Sequence, residues 1–412
     1  MDTTLIVFML VYVALAFGHL PGFRLDRTGA AVVGGMAMIA LGKISAEAAW
    51  GAIDYQTIGL LFGLMIVSGA FTISGFYGWA AIKVATLKVS PPVLLACLIV
   101  MGAVLSSVLT NDVVVVAMTP LLVSITLSRN LNPIPFLLGF CFATNTGATA
   151  TLIGSPQNMI VAQKLELSFT GFMGVTLVPA LLSLPLVWAC VSFCYRNNWQ
   201  LSGGQQAQPL SEAPQIDLYE TIKAAIITVL VIAGFIFAPW PREVVALMGA
   251  ALILINRSAS KVSSQQVLTT VDGNLLLLLA GLFIVNAALA QTGMPQHLIN
   301  YLQGHGVDFN SPSMLFLIAS ALSNIVGNNP AVMLLMPFLP TGGDTLALGA
   351  ALALGTGFSS NMVIFGSLAG IIVVEQAARR GVTITMAEFC RSGIPVTLLS
   401  MVLALVWIAF LG

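Results

Sequence analysis

The stretch Leu109-Thr-Asn-Asp-Val113, followed by Ala143-Thr-Asn-Thr-Gly-Ala-Thr-Ala-Thr-Leu-Ile-Gly-Ser-Pro-Gln-Asn158, places amides, hydroxyls, glycines and one carboxylate inside a very apolar sequence. In a lipid bilayer each unsatisfied polar group costs several kcal/mol, so these residues are not expected on a regular helix that faces lipid. We therefore predict unwound backbone that lines a cavity enclosed by protein.

The composition defines the class of protein around this stretch. The 412 residues are 58% hydrophobic and 7% charged, with a mean hydropathy of +0.99, which predicts an all-α polytopic membrane protein in contact with a lipid bilayer. Basic and acidic residues number 15 each, so no polybasic face indicates nucleic acid. The five cysteines are scattered through apolar segments. We predict no metal site, cofactor or catalytic residue set.

The order of apolar segments suggests two similar halves. We predict a first repeat at 1–195 and a second at 220–412, each with five transmembrane helices, a re-entrant hairpin and a broken helix. The hairpins are predicted at 92–127 and 312–340, and the broken helices at 135–163 and 345–377. The polar stretch 196–219 is predicted to be a cytoplasmic linker. Because five crossings are an odd number, the second repeat is predicted to be inverted.

Matched residues support the duplication. Asp54 precedes Gly63 by nine residues, as Asp272 precedes Gly281. Three more matches follow in the same order: Ser106 and Asn111 with Ser323 and Asn328, Asp112 and Pro120 with Asn329 and Pro337, and Thr151-Leu-Ile-Gly-Ser155 with Val363-Ile-Phe-Gly-Ser367. Four matches in one order indicate a duplicated unit.

The basic residues predict the orientation in the membrane. With these spans, 12 Lys and Arg residues, including Arg27, Arg257 and Lys261, fall on one side, and Lys43, Lys164 and Arg242 fall on the other. Because cytoplasmic loops carry the Lys and Arg excess, we predict a prokaryotic cytoplasmic (inner) membrane protein with both termini outside.

Hairpins that enter from opposite sides can bring their tips together beside the two helix breaks. The residues predicted to bind substrate there share amide or hydroxyl side chains; they are Asn111, Asn145, Thr146, Thr149, Ser155, Asn158, Asn328, Asn329, Ser360, Asn361 and Ser367. Asp112 is the one acidic residue that we place at mid-depth, and a buried carboxyl group can exchange a proton during transport. The alternatives are that Asp112 caps the second hairpin arm and that the other polar groups bond neighbouring helices.

The tip Leu109–Val113, the stretch Thr151–Asn158 and their counterparts in the second half resemble the ion transporter superfamily over essentially the whole chain. In the second half, Gly327-Asn-Asn-Pro330 and Phe365-Gly-Ser-Leu-Ala369 most resemble arsenite/antimonite efflux permeases. This resemblance implies paired hairpins, elevator-like alternating access, and arsenite or antimonite export in exchange for protons, sometimes with a soluble arsenite-stimulated ATPase. Pro156-Gln-Asn158 is closer to the carboxylate carriers. A sodium-coupled di- or tricarboxylate carrier and a sodium/proton antiporter are therefore the alternatives.

The chemistry of the predicted site bears on this choice. Arsenous acid is neutral at pH 7, and a cage of amides and hydroxyls can bind it without a fixed cation. We place no Lys or Arg at mid-depth, which favours a neutral substrate or a cation; helix N-termini or sodium would be needed for a dicarboxylate. A channel is the second functional class. The motifs of intramembrane enzymes are missing from the sequence, so we predict a secondary transporter rather than an enzyme.

Overall fold

The structure is a computed structural model that describes residues 3–20, 22–201, 215–255, 262–306, 308–339 and 345–411. Within these ranges the chain forms twenty α-helices and two short 3-10 helices, and no strand. Seven helices are apolar and have at least 18 residues, which is enough to cross a bilayer core. The chain is therefore the all-α polytopic membrane protein that its composition predicts.

Ten helices form the first repeat. They are α1 (Thr3–Phe17), α2 (Arg27–Ala40), α3 (Ala46–Ala52), α4 (Tyr55–Ile73), α5 (Phe76–Ala85), α6 (Pro91–Val108), α7 (Asn111–Ser128), α8 (Pro133–Ala148), α9 (Pro156–Lys164) and α10 (Phe169–Cys194). Five crossings are made by α1, α2, α4, the pair α8 and α9, and α10, while α6 and α7 form the first hairpin.

Ten further helices follow in the same order. They are α11 (Leu218–Phe237), α12 (Arg242–Leu254), α13 (Ser264–Leu268), α14 (Gly273–Gln291), α15 (Met294–Gly304), α16 (Pro312–Val326), α17 (Asn328–Leu335), α18 (Thr345–Ser359), α19 (Leu368–Ala378) and α20 (Met386–Leu411). Each helix has a counterpart ten places earlier. Part of the predicted linker 196–219 lies outside the described residues. So do Arg257, Lys261 and residue 340, the predicted end of the second hairpin.

The contacts between the repeats are reciprocal. Helix α2 packs against α14, and the corresponding α12 packs against α4, while α10 packs against its own counterpart α20. A glycine allows the close approach in each of the first two pairs. A Cβ on Gly281 would lie 2.5 Å from the backbone of Ala31, and a Cβ on Gly63 would lie 2.6 Å from the backbone of Ala246. Reciprocal pairs of this kind indicate that a pseudo-twofold axis relates the two repeats. Because each repeat crosses the membrane five times, the two repeats are inverted relative to each other.

The two hairpins turn differently at their tips. Leu109 and Thr110 join α6 to α7 with extended backbone, whereas Gly327 alone joins α16 to α17. Gly327 has φ +93° and ψ 163°, a conformation that is essentially restricted to glycine. The second arm starts at Asn328, within the predicted hairpin 312–340, and its α-helix ends at Leu335. It continues as a 3-10 turn at Met336–Phe338, where Pro337 has no N–H for a helical hydrogen bond.

Both broken helices are interrupted by several residues. The first break falls between Ala148 and Pro156, within the predicted broken helix 135–163. Helix α8 continues to Ala148, and a Cβ on its Gly147 would lie 2.4 Å from the Ala103 backbone, so this turn is fixed by close packing on α6. The second break falls between Ser359 and Leu368 and contains a 3-10 turn at Ile364–Gly366.

Candidate functional site

Both hairpin tips and both helix breaks border a single cavity of about 250 Å³. Most of the lining comes from the starts of six helices: α2 (Arg27, Thr28), α7 (Asn111, Asp112), α9 (Pro156, Gln157), α14 (Asp272, Asn274, Leu275), α17 (Asn328, Asn329, Pro330) and α19 (Ser367, Leu368). The rest comes from Leu278, Gly327, Phe365 and Val326, the last residue of α16. Unpaired backbone N–H groups and the positive end of the dipole belong to the start of a helix. The cavity is therefore surrounded by the positive ends of six helices.

The first hairpin tip is fixed to the first break and to α4. The backbone N–H of Asn111 donates to Gly154 O at 2.9 Å, and the N–H of Thr110 donates to Ser68 Oγ at 3.2 Å. A Cβ on Gly154 would lie 2.3 Å from Ala148 O, so only glycine allows this approach. These contacts hold the start of α7 against the cavity.

The second hairpin tip is held by the second break in a similar way. Asn328 Nδ2 donates to Ser360 Oγ at 2.9 Å, and Asn328 Oδ1 accepts from Ser360 Oγ and from Ser323 Oγ. The neighbouring Asn329 has a buried Oδ1 with no hydrogen-bond partner in the described chain. Asn328 is therefore held within the protein, and Asn329 leaves an acceptor available at the cavity wall.

A buried amide network joins the two breaks behind the cavity. Asn145 Nδ2 donates to Asn361 Oδ1 and to Ser367 Oγ, at 3.0 Å in each case. Asn361 Nδ2 donates in turn to Thr146 Oγ1 at 3.3 Å. Asn111 Nδ2 approaches Asn145 Oδ1 at 3.5 Å, which places the first tip at the edge of the same network. The two repeats thus contribute to one hydrogen-bonded unit.

The structure divides the predicted site residues into two groups. Those that line the cavity are Asn111, Asp112, Asn328, Asn329 and Ser367. Those that are buried behind it are Asn145, Thr146, Thr149, Ser155, Asn158, Ser360 and Asn361. Among the second group, Asn158 Nδ2 donates to Ala148 O and Thr151 O at 2.9 Å, so it satisfies carbonyl groups left free where α8 ends.

Asp112 is the second residue of α7 and faces the cavity. It does not cap the helix, since the N-cap is Thr110 and the side chain of Thr110 makes no capping bond. Asp54, on α4, and Asp272, on α14, do cap their helices, as their equivalent places in the repeats predict. The capping interpretation of Asp112 is therefore wrong, and its carboxylate is available in the cavity.

One basic residue at the cavity was missed. The charge pattern places no Lys or Arg at mid-depth and assigns Arg27 to the cytoplasmic side, but Arg27 lines the cavity. It is the first residue of α2, immediately after the N-cap Asp26, and its buried Nε has no partner among the described residues. A signal was present, because Arg242 holds the same place at the start of α12. Gln157 and Asn274 were also missed as lining residues.

Comparisons with known proteins agree with this architecture. The sequence model of a family described as citrate transporter (CitMHS) matches residues 12–355. An uncharacterized transporter of Mycobacterium tuberculosis is 29% identical over 433 residues, covering 98% of this chain and 96% of that protein. A silicon efflux transporter, LSI3, of Oryza sativa subsp. japonica is 24% identical and covers 91% and 90% of the two chains.

A solved structure has a similar fold. The crystal structure of the YdaH transporter of Alcanivorax borkumensis aligns with a TM-score of 0.59, covering 99% of this chain and 97% of that chain. The two sequences are 17% identical, so the likeness is one of fold.

Proposed function

Since the chain belongs to the citrate transporter family, a transporter family of the ion transporter superfamily, we propose that it carries a small carboxylate anion of the citrate type through the cavity between its hairpin tips. The observation that carries this proposal is the convergence of six helix starts on one cavity. Each helix start is equivalent to about half a positive charge, and backbone N–H groups there donate hydrogen bonds to anionic oxygens. A neutral substrate gains much less from such an arrangement.

Arg27 supports an anionic substrate. Its guanidinium group lines the cavity, and its Nε has no partner in the described chain. A planar guanidinium binds a carboxylate through two parallel hydrogen bonds. Arg27 provides donors beside the space that a carboxylate would occupy, and the unpartnered Oδ1 of Asn329 can accept a hydrogen bond from a protonated carboxyl group of the substrate. We propose that the cavity-lining group of predicted residues contacts the substrate and that the buried group positions it.

Asp112 supplies the coupling in this proposal. A tri- or dicarboxylate beside the Asp112 carboxylate is repelled, so binding is favoured when Asp112 carries a proton. Linkage makes the effect reciprocal, since the bound substrate then favours the proton to the same extent. Substrate and proton would move together in the same direction. A sodium ion near Asp112 would serve the same purpose, and the test below separates the two.

The remaining features of the proposal concern the arrangement in the membrane. We propose the repeat division at 1–195 and 220–412, a cytoplasmic location of the linker 196–219, an inner-membrane location and both termini outside. The excess of Lys and Arg on one side supports this orientation. Alternating access would be elevator-like, with the hydrogen-bonded unit of both breaks and both tips moving against the α2, α4, α12 and α14 helices.

The test is uptake into lipid vesicles that contain the purified protein. Radiolabelled citrate, succinate and arsenite are offered separately, each under an imposed pH gradient or an imposed sodium gradient. We expect saturable accumulation of citrate that the pH gradient drives. Accumulation driven by sodium alone would show that sodium, and not the proton, is the coupling ion. Flux that does not saturate would indicate a channel.

Arsenite or antimonite export in exchange for protons is the second candidate. It is favoured by the uncharged amide and hydroxyl side chains of Asn111, Asn328, Asn329 and Ser367. These groups can form hydrogen bonds with the hydroxyl groups of neutral arsenous acid. A relative of this chain is named as an efflux transporter for silicon. Uptake of arsenite without uptake of citrate or succinate in the same vesicles would establish this candidate instead, and a soluble ATPase partner would then be sought.

A further inference from the structure

Corresponding helices of the two repeats are packed differently near the cavity. In the first repeat, α9 packs against α4. In the second repeat, the corresponding α19 and α14 face each other across the cavity, with Leu368 on one side and Leu275 and Leu278 on the other. Helices α4 and α9 are therefore in contact, beside a second cavity of about 540 Å³ that Asp54 and Lys164 line, whereas α14 and α19 both border the first cavity.

A hydrogen bond closes the first of these contacts. Gln163 Nε2, on α9, donates to Gln56 Oε1, on α4, at 2.7 Å, and both side chains are half-buried. Gln56 lies two residues after the N-cap Asp54, and Gln163 lies eight residues after the N-cap Ser155. The bond therefore joins the outer part of α9 to the start of α4.

The same positions in the second repeat carry a complementary pair. Asn274 lies two residues after the N-cap Asp272, and Glu375 lies eight residues after the N-cap Ser367. Both side chains are exposed, and Asn274 lines the cavity. An amide N–H donates well to a carboxylate, and such charge-assisted bonds are stronger than those between neutral groups. The chemistry for a second closing bond is present, but no hydrogen bond joins these two side chains in the structure.

The hairpins show the same asymmetry as a difference in register. Ser68 and Asn286 hold equivalent places, each 14 residues after its helix N-cap Asp54 or Asp272. Ser68 accepts from the tip residue Thr110, whereas Asn286 Nδ2 donates to Met333 O, six residues beyond the tip residue Gly327. Six helical residues correspond to about 9 Å along the axis. The second hairpin is therefore displaced by about 9 Å along α14, compared with the position of the first hairpin along α4.

We propose that Gln56–Gln163 and Asn274–Glu375 are alternating gate contacts, of which the first closes one side of the membrane in the state seen here and the second closes the other side in the opposite state. The inference rests on the proposed transport function and adds the residues that close each side. Exchange of the two repeats' conformations would move the hairpins by about 9 Å, bring α19 onto α14, and separate α9 from α4.

The test uses pairs of cysteines in membranes of the full-length protein. The five native cysteines, Cys97, Cys141, Cys190, Cys194 and Cys390, are first replaced by alanine or serine. One variant carries Gln56→Cys, Gln163→Cys, Asn274→Cys and Glu375→Cys together. A short bifunctional thiol reagent is added, and mass spectrometry of the peptides counts the bridges in each chain.

Mutually exclusive bridges are the expected result. Each chain should contain either the 56–163 bridge or the 274–375 bridge, with both types present in the population. A matched control pairs Leu277→Cys with Glu375→Cys; Leu277 is 55% exposed and does not line the cavity, so this pair should remain unbridged. Both bridges in one chain, or equal bridging of the control pair, would overturn the proposal.

A second measurement avoids dependence on bridge formation. In the cysteine-free background, the labelling rate of Asn274→Cys by a membrane-impermeant thiol reagent reports how open the cavity is. Gln163→Leu removes the bond to Gln56 and should lower this rate at least threefold, because it favours the opposite state. An unchanged or increased rate would contradict the proposal. Neither measurement requires a known substrate. The gate contacts can therefore be tested even if the protein does not transport citrate.

Discussion

Asn145 and Ser367 lie 222 residues apart in the chain, and a hydrogen bond of 3.0 Å joins Asn145 Nδ2 to Ser367 Oγ at the centre of the molecule. Asn145 belongs to α8, in the first broken helix, and Ser367 caps the half-helix α19 in the second. The same amide group also donates to Asn361 Oδ1. The two breaks are therefore connected directly, without a ligand between them.

Replacing Asn145 tests this connection. Asn145→Leu keeps a similar volume but removes one of the two donors to Ser367 Oγ and the donor to Asn361 Oδ1, and an unsatisfied buried group costs about 1–3 kcal/mol. We expect a clear decrease in the Tm of the protein in detergent, measured by the exposure of buried cysteines. Thr119→Val is the control, because Thr119 Oγ1 bonds only to Val115 O of its own helix in the structure. Equal effects of the two substitutions would contradict the connecting role.

Arg27 is predicted to determine affinity for a carboxylate. Arg27→Gln should lower kcat/KM for citrate at least tenfold, about 1.4 kcal/mol, through a higher KM, because a charge-assisted bond to the substrate is lost. Arg27→Lys should retain part of the activity. Arg24→Gln, at an exposed position three residues earlier, is the control. Vesicle uptake at several citrate concentrations provides the measurement. Unchanged citrate affinity in the Arg27→Gln variant would argue against an anion at this position.

Asp112 is predicted to make transport depend on pH. Asp112→Asn mimics the protonated side chain, so the variant should exchange citrate across the membrane but no longer accumulate it against a pH gradient. Citrate uptake by the native protein should increase as the pH falls, because a proton on Asp112 removes its repulsion of the substrate. Asp54→Asn is the control: it keeps an amide oxygen that can cap α4, its position does not line the cavity around Asp112, and this variant should retain the pH dependence. Accumulation by the Asp112→Asn variant would remove Asp112 from the coupling role.

Gly327 is predicted to be required at the second tip. Gly327→Ala forces a side chain into φ +93°, which costs about 1–3 kcal/mol and displaces Asn328 from Ser360. Transport should fall more than stability. Gly174→Ala is the control, since Gly174 is a helical position with nothing within 4 Å of a built Cβ, and alanine favours a helix there. Tm and citrate uptake are measured for both variants, and similar results for the two would contradict this role.

The fold was predictable to a large extent because apolar length, polar interruptions and repeated spacings are encoded locally. The tip Thr110-Asn-Asp112 and the break before Pro156 lie within the stretches that the sequence identifies. Helix ends were less predictable where packing decides them, as at Gly147, which stays helical against Ala103. Helix α17 is short because Pro337 ends its α-helical hydrogen bonding. The resulting length also depends on the start at Asn328, which the sequence does not define.

The site was predicted by residue type more reliably than by position. Amides and hydroxyls cluster around the cavity as expected, but a sequence does not state which of them faces the open space. Asn145 and Asn361 satisfy each other and Ser367, so they are buried behind the wall. Arg27 was missed because charge counting assigns a helix-start arginine to the surface, whereas the inverted packing of α2 against α14 brings it to the cavity.

Asp112 and Asn329 hold the same place, the second residue after the tip, in the two halves of one chain. An antiparallel dimer of identical subunits would have to present two carboxylates to its central space, or two amides. Covalent joining of the halves allows them to diverge, so that a single acid faces a neutral amide. A cargo that binds between the two tips therefore meets one carboxylate there rather than two, while Asp272 and Arg27 contribute the other charges of the cavity wall.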